Sequence, residues 1–290
     1  MKSPPSNPTG RRLDFRDHRR ELGENRYVYP VVSRRSGGLS IGINLNPDKA
    51  CNFDCPYCQV DRTVPGATRD VDLALLQEEL NALLGRAAGD LWSHPPFDTV
   101  APSLRTVRDI ALSGDGEPTS CPGFGEAIEA VHRARLAHGL PDLPLVLITN
   151  ATLFHRPAVS AALHRFTELG GCIWAKLDAG TEPFFHQVCG TTLSFDRVLQ
   201  NIGEATRHHR VTLQCMFHRT NGEAPPAAEV QAWSRRIAAF LDQGGCIDGV
   251  QVYTVARAPA DPACTPLTKE ELEQIAALPQ GLGLQVEVFC

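Results

Sequence analysis

The chain has no basic excess. Its 28 Lys and Arg stand against 33 Asp and Glu, a formal net charge of −5. A dedicated nucleic-acid domain usually carries the opposite balance, so no global electrostatic footprint for RNA or DNA is present. No apolar run approaches the ~20 residues that a membrane-spanning helix needs. The opening residues, Met1 to Arg12, lack the apolar core of a secretory leader. These absences argue against a membrane protein and for the cytoplasm, where thiols stay reduced. The ten cysteines are not spaced as a secreted disulfide framework. The Gly-x-Gly-x-x-Gly and Walker A patterns are missing too. The nearest approach, residues Gly85 to Asp90, lacks the required glycine spacing, so neither common nucleotide-phosphate loop is indicated.

What is present is a tight group of three cysteines, Cys51, Cys55 and Cys58, in the stretch CNFDCPYC. Soft thiolates at close spacing favour zinc or an iron–sulfur cluster. A structural zinc site wants a fourth Cys or His at short spacing, and the nearest, His18 and His94, are distant. A cubane cluster held by three thiolates leaves one iron with an open position, and an open position is where a metal centre does chemistry. The other seven cysteines are scattered singly and read as small buried apolar residues.

The Cys-x3-Cys-x2-Cys spacing, with Tyr57 before the last cysteine, resembles the cluster motif of the radical SAM superfamily. The resemblance implies a [4Fe–4S] cluster on Cys51, Cys55 and Cys58, with S-adenosylmethionine (SAM) chelating the fourth iron. It also implies reductive cleavage of SAM to a 5′-deoxyadenosyl radical, chemistry that the cofactors carry. A second segment, Gly114-Asp115-Gly116-Glu117-Pro118, resembles the superfamily's Gly-Gly-Glu-Pro motif for the SAM amino group, with Asp115 as the departure. Glycines there allow close backbone approach, and Glu117 offers an acceptor for an ammonium group.

Apolar periodicity places strands at 39–45, 107–112, 145–149, 172–177, 211–217, 250–255 and 284–289. Helices fall at 72–88, 122–138, 157–168, 195–208, 227–242 and 268–278, with Asp72 as an N-cap. Strict alternation argues for a parallel sheet with helices outside. Periodicity leaves an open six-unit barrel and a doubly wound sheet both standing; the resemblance implies the partial (β/α)6 TIM-type barrel. Residues 1–24 read as a flexible basic and polar arm, and 25–290 as the barrel domain.

In such folds ligands gather at the C-terminal strand ends. Asn150, Lys176, Asp178, Gln214, Tyr253 and Arg257 fall there, as do the cysteine loop and Gly114 to Glu117. The resemblance gives Asn150, Lys176, Asp178 and Tyr57 roles on the SAM side; Gln214 and Tyr253 stand for the adenine or the substrate. His186 and His218 are expected to be structural. The ordered set of motifs looks like the group of radical SAM oxidoreductases related to the wyosine-base enzymes of tRNA modification. The additional N-terminal cluster cysteines of the archaeal wyosine enzyme are absent from residues 1–50. The expected partners are a flavodoxin or ferredoxin type electron donor and a tRNA or other anionic substrate, with an RNA base ahead of a peptide or small metabolite. The competing expectation is a non-catalytic metal protein, holding structural zinc or an electron-transfer cluster with a fourth protein ligand.

Overall fold

The computed structural model describes Leu13 and residues 25–290. The chain runs β1 (Val28–Ser33), β2 (Gly38–Ile43), α1 (Leu73–Ala88), β3 (Val107–Leu112), α2 (Phe124–Ala137), β4 (Leu145–Thr149), α3 (Pro157–Glu168) and β5 (Gly171–Lys176). It continues with α4 (Glu182–Cys189), α5 (Phe195–His208), β6 (Val211–Met216), β7 (His218–Thr220), α6 (Ala227–Asp242), β8 (Gly249–Tyr253), β9 (Cys264–Pro266), α7 (Lys269–Gly281) and β10 (Val286–Phe289).

Eight strands form one sheet in the order β1-β2-β3-β4-β5-β6-β8-β10, while β7 and β9 pair separately as an antiparallel ribbon. From β2 onward every pairing in the large sheet is parallel. Spatial order equals sequence order, so the sheet has no switch point of the doubly wound kind. The architecture is a curled half-barrel, the partial TIM-type barrel expected from the motifs.

Local chemistry explains the element ends. Asp72 caps α1 by accepting from the backbone of Ala74 (3.0 Å) and Leu75 (3.1 Å). Thr268 and Glu271 form a reciprocal capping box that starts α7. β2 and β6 are buried along their full length, as parallel strands with covered faces must be. Helices α1, α2 and α3 pack side by side along the outside, as do α5, α6 and α7.

The sequence reading assigned no element to residues 25–38, yet β1 lies there, antiparallel to β2 at the sheet edge. Pro30 has no N–H to donate, and an edge is where a sheet tolerates that. The short α4 and the β7–β9 ribbon also lie outside the reading, since three to eight residues are too few for a periodic signal. The 1–24 arm falls outside the described residues except for Leu13, which is buried and donates its N–H to Thr99 Oγ1 (2.8 Å).

Candidate active site

The three cysteines follow β2, at the end of the sheet where parallel strands finish. Each is half-buried and none is in a disulfide. The loop is held by close backbone contacts. Asp54 N–H donates to the carbonyl of Cys189 (3.0 Å), and Cys58 N–H closes a turn on Cys55 (2.9 Å). Gly190 ends α4 at φ +57°, and a Cβ there would sit 2.0 Å from the Asp54 carbonyl, so only glycine permits this approach. On the other side, Glu117 N–H donates to Ala50 (3.2 Å), and a Cβ on Gly116 would meet the Ala50 oxygen at 2.0 Å. The cysteine loop and the Gly114–Glu117 loop are therefore wedged against each other.

The thiols differ electrostatically. Burial pushes Cys51 up to about 11. Cys55 is held below the usual thiol range, chiefly because the Cys189 thiol hydrogen-bonds to it, with Lys176 assisting against burial. Burial and that same hydrogen bond drive Cys189 up, so it keeps its proton. Cys189, an isolated cysteine in the sequence, thus stands beside a candidate ligand. Arg62 lies beside the Cys58 and Cys51 thiols and donates to the Phe53 carbonyl (3.1 Å). Among the described residues no three His, Cys, Asp or Glu side chains converge as ligands of a single metal ion. A four-iron cube presents separate corners to its thiolates, so three reduced thiols spaced along one loop fit a cluster without meeting at a point.

Glu117 is buried and heavily engaged. Its Oε1 accepts from Thr119 N–H (3.1 Å), Thr119 Oγ1 (2.5 Å) and Thr149 Oγ1 (2.6 Å); its Oε2 accepts from Asn150 N–H (2.7 Å). Burial raises its pKa against these bonds. The carboxylate ties the β3 loop to the end of β4 and keeps spare acceptor capacity only on Oε2. Asp115 pairs with Asn44 in both directions, through Nδ2 (2.9 Å) and Oδ1 (3.1 Å). Asn150 donates to Asn52 Oδ1 (2.6 Å), which fastens β4 to the residue after Cys51. Asn46 Oδ1 is buried beside the Gly114–Glu117 loop with no donor among the described residues, an acceptor suited to an N–H from a ligand.

Tyr57, Lys176, Asp178 and Tyr253 form one cluster. Tyr57 donates its hydroxyl to Asp178 Oδ2, Lys176 Nζ lies 3.1 Å from the same oxygen, and Met216 N–H reaches Oδ1 at 2.8 Å. Lys176 also donates to Tyr253 Oη (2.9 Å) and sits 5.1 Å from the Tyr57 ring centroid. Burial works against the Lys176 charge, but Asp178, Tyr253 and Cys55 outweigh it and its pKa rises. Burial, reinforced by Asp178, pushes Tyr57 well above the phenol range. His218 packs 5.5 Å from the Tyr57 ring, its Nε2 buried without a partner among the described residues. His186 is elsewhere, on α4, against the Leu193 carbonyl (3.2 Å).

Beside the loop the barrel holds a half-open cavity of about 270 Å³. Cys58, Lys176, Gln214, Tyr253 and Arg257 reach it, joining the thiol loop to the strand-end residues. Arg34, Arg35, Ser40, Asp109 and Trp174 also line it, and none of these stood out in the sequence. Ser40, hydrogen-bonded to Asp109 of β3, is the polar residue in otherwise apolar β2; that break in the pattern was the available signal. Arg34 donates to the carbonyls of Thr254 (3.3 Å) and Cys290, lacing the β1–β2 turn to the far side of the sheet.

A half-barrel of in-order parallel strands, with three free thiols at its mouth and a glycine–carboxylate loop against them, defines a class. The family model that matches, over residues 45–227, is that of the radical SAM superfamily, and the chain belongs to that superfamily. Among curated proteins, it is 28% identical over 138 residues to a UPF0026 protein of Helicobacter pylori strain J99, covering 47% of this chain and 38% of that one. It is 30% identical over 159 residues to a UPF0026 protein of Methanocaldococcus jannaschii, covering 55% and 42%. The chain thus spans less than half the length of these relatives. Among solved structures, a radical SAM methyltransferase from Sphaerobacter thermophilus shares the fold at TM-score 0.62 and 14% identity, over 90% of this chain and 68% of that one. TYW1 with a lysine–pyruvate adduct bound shares it at 0.50 and 15%, over 84% and 74%. No helix among the described residues is long and apolar enough to cross a membrane.

Proposed function

We propose that this chain holds a [4Fe–4S] cluster on Cys51, Cys55 and Cys58 and binds SAM beside it, acting on an anionic substrate. The observation that carries the reading is the wedge of the cysteine loop against the Gly114–Glu117 loop at the mouth of the half-barrel. When bound, such a cluster would supply one-electron reductive cleavage of SAM, with a flavodoxin or ferredoxin type protein as the electron donor and a substrate hydrogen atom as the target of the resulting radical chemistry. The residues divide the remaining work. Gly114, Asp115, Gly116, Glu117 and Asn46 Oδ1 offer acceptors for an amino group. Asn150 fixes the start of the cysteine loop through Asn52. Tyr57, Asp178 and Lys176 fasten its end to β5 and β6, keeping Cys58 at the cavity. Arg34 lines the cavity and ties the β1–β2 turn to the Thr254 carbonyl. A tRNA base remains one form of the anionic substrate, with the basic arm at Arg11–Arg20 as its contact.

The test is low-temperature EPR of the anaerobically reconstituted, reduced protein, with and without SAM. A SAM-dependent change in the cluster signal is expected, with both the brown chromophore and SAM cleavage lost when the three cysteines become alanine. A [4Fe–4S] signal indifferent to SAM would instead mean a fourth protein ligand and an electron-transfer role; an iron-free protein retaining zinc would mean a structural clip.

A further inference from the structure

The barrel interior carries two polar groups that the protein leaves unmatched. The first is Arg35, in the β1–β2 turn, whose guanidinium lies 5.7 Å from the Trp174 ring centroid and 5.2 Å from that of Tyr253. Among the described residues it makes no hydrogen bond or ion pair, although a guanidinium has five N–H donors. The second is Gln214 on β6, buried, with its Oε1 lacking any donor among the described residues. Its orientation is not arbitrary. The Glu287 carboxylate can only accept, so Gln251 donates to it (3.4 Å), Gln251 Oε1 then accepts from Gln214 Nε2 (2.9 Å), and Gln214 Oε1 is left over. Both groups line the same cavity.

Resting on the reading above, and narrowing its substrate, we propose that this interior binds a small anionic molecule that also bears a hydrogen-bond donor, its carboxylate or phosphate held by Arg35 and its donor by Gln214 Oε1. Charge favours an anion. Of the cations lining the cavity, Lys176 is already paired with Asp178 and Arg34 donates to the Thr254 and Cys290 oxygens, whereas Arg35 makes neither kind of bond among the described residues. Asp109 is hydrogen-bonded by Ser40 and attracts Arg35 without forming an ion pair with it. A neutral base placed there would leave the guanidinium without a paired oxygen, whereas an anionic oxygen group matches both its charge and its fork of donors. At about 270 Å³ the space suits a compact molecule, since pockets for drug-sized ligands start at about 300 Å³.

The test uses the full chain and needs neither cluster nor SAM, so its failure is separable from failure of the EPR experiment. Trp174 lies in the cavity wall, and its fluorescence is followed during titration, with Trp174→Phe as the blank. The probes are inorganic phosphate and acetate, each beside its amine-bearing counterpart, phosphoethanolamine and glycine, at ionic strength matched with chloride. One plain anion is expected to saturate, which selects phosphate or carboxylate, and its amine-bearing counterpart to bind about tenfold more tightly. Arg35→Gln should weaken both about tenfold and Arg35→Lys less. Gln214→Leu should bring the amine-bearing probe down to the plain anion. A response no different from chloride, one unchanged in Arg35→Gln, or one given only by tRNA would overturn the proposal. Equal binding of the paired probes in the unsubstituted protein would overturn the Gln214 assignment.

Discussion

Replacing Asp178 with asparagine removes one negative charge from a place where two other groups depend on it. The Asp178 side chain is 1% exposed and that of Lys176 17%. The new side-chain amide can still accept from Met216 N–H on its oxygen, and its NH2 group can face the Tyr57 hydroxyl, which is able to accept. Lys176 then meets an N–H instead of a carboxylate, and its ammonium stays buried without a counter-charge. Breaking a buried pair from one side costs about 3–5 kcal/mol. For a chain of this size that is a fall in Tm of about 6–10 °C, at roughly 2 °C per kcal/mol. The assay is urea denaturation and thermal melting of Asp178→Asn, Lys176→Met and the double variant. The double variant should regain most of the loss, because removing both charges leaves nothing uncompensated. The sign with pH is also fixed. Lys176 is raised in the folded state, so its contribution is complete below the unfolded lysine value and is lost only as pH climbs through the higher folded one. A cost below about 1 kcal/mol for Asp178→Asn, or a double variant as unstable as the single, would refute the argument that this ion pair pins the cysteine loop.

Three further outcomes are expected. Cys189→Ala should keep the cluster and its response to SAM, since Cys189 holds its proton and only hydrogen-bonds to Cys55; loss of the iron chromophore in that variant would make Cys189 a fourth ligand. Gly190→Ala should cost at least about 1–2 kcal/mol in denaturation, from positive φ and the clash with Asp54, and should lower the iron retained per chain; an unchanged midpoint would contradict the close approach. His209 is pushed down to about 4 by burial and by His164 and His208, so the unfolded chain binds the extra proton between that value and about 6.5. Stability should therefore fall as pH drops through that window, and His209→Gln should flatten the slope; an identical slope in both proteins would rule His209 out as its source.

The sequence exposed the parts of the molecule that repeat or cluster. Three cysteines within eight residues, a glycine-flanked glutamate and alternating apolar runs are local patterns, and each fell where the strand ends converge. Strand order was beyond periodicity, because a helix between two strands reads the same whether the sheet grows in one direction or reverses. Cys189 and Asn52 were hidden for another reason. Their importance comes from meeting the cysteine loop and β4 across long separations, through bonds such as Asn150 to Asn52. Arg35 was hidden because one arginine in a polar turn resembles any solvated residue, and only curling of the sheet sets it between Trp174 and Tyr253. Glu117 shows the limit of motif reading from the other side: the carboxylate was visible, its four internal donors were not.

Because each strand of the large sheet pairs with the strand of that sheet that precedes it in the chain, the sheet can be assembled in the direction of synthesis, one strand–helix unit at a time. The lacing by Arg34 must wait for the end of the chain, since it joins residue 34 to residues 254 and 290. A nascent chain therefore exposes its three thiols long before the cavity beside them can form. Iron delivered to a ribosome-bound chain would find a cysteine loop not yet backed by Cys189 and Asp178, whereas iron delivered after release would meet a finished mouth with one side still open.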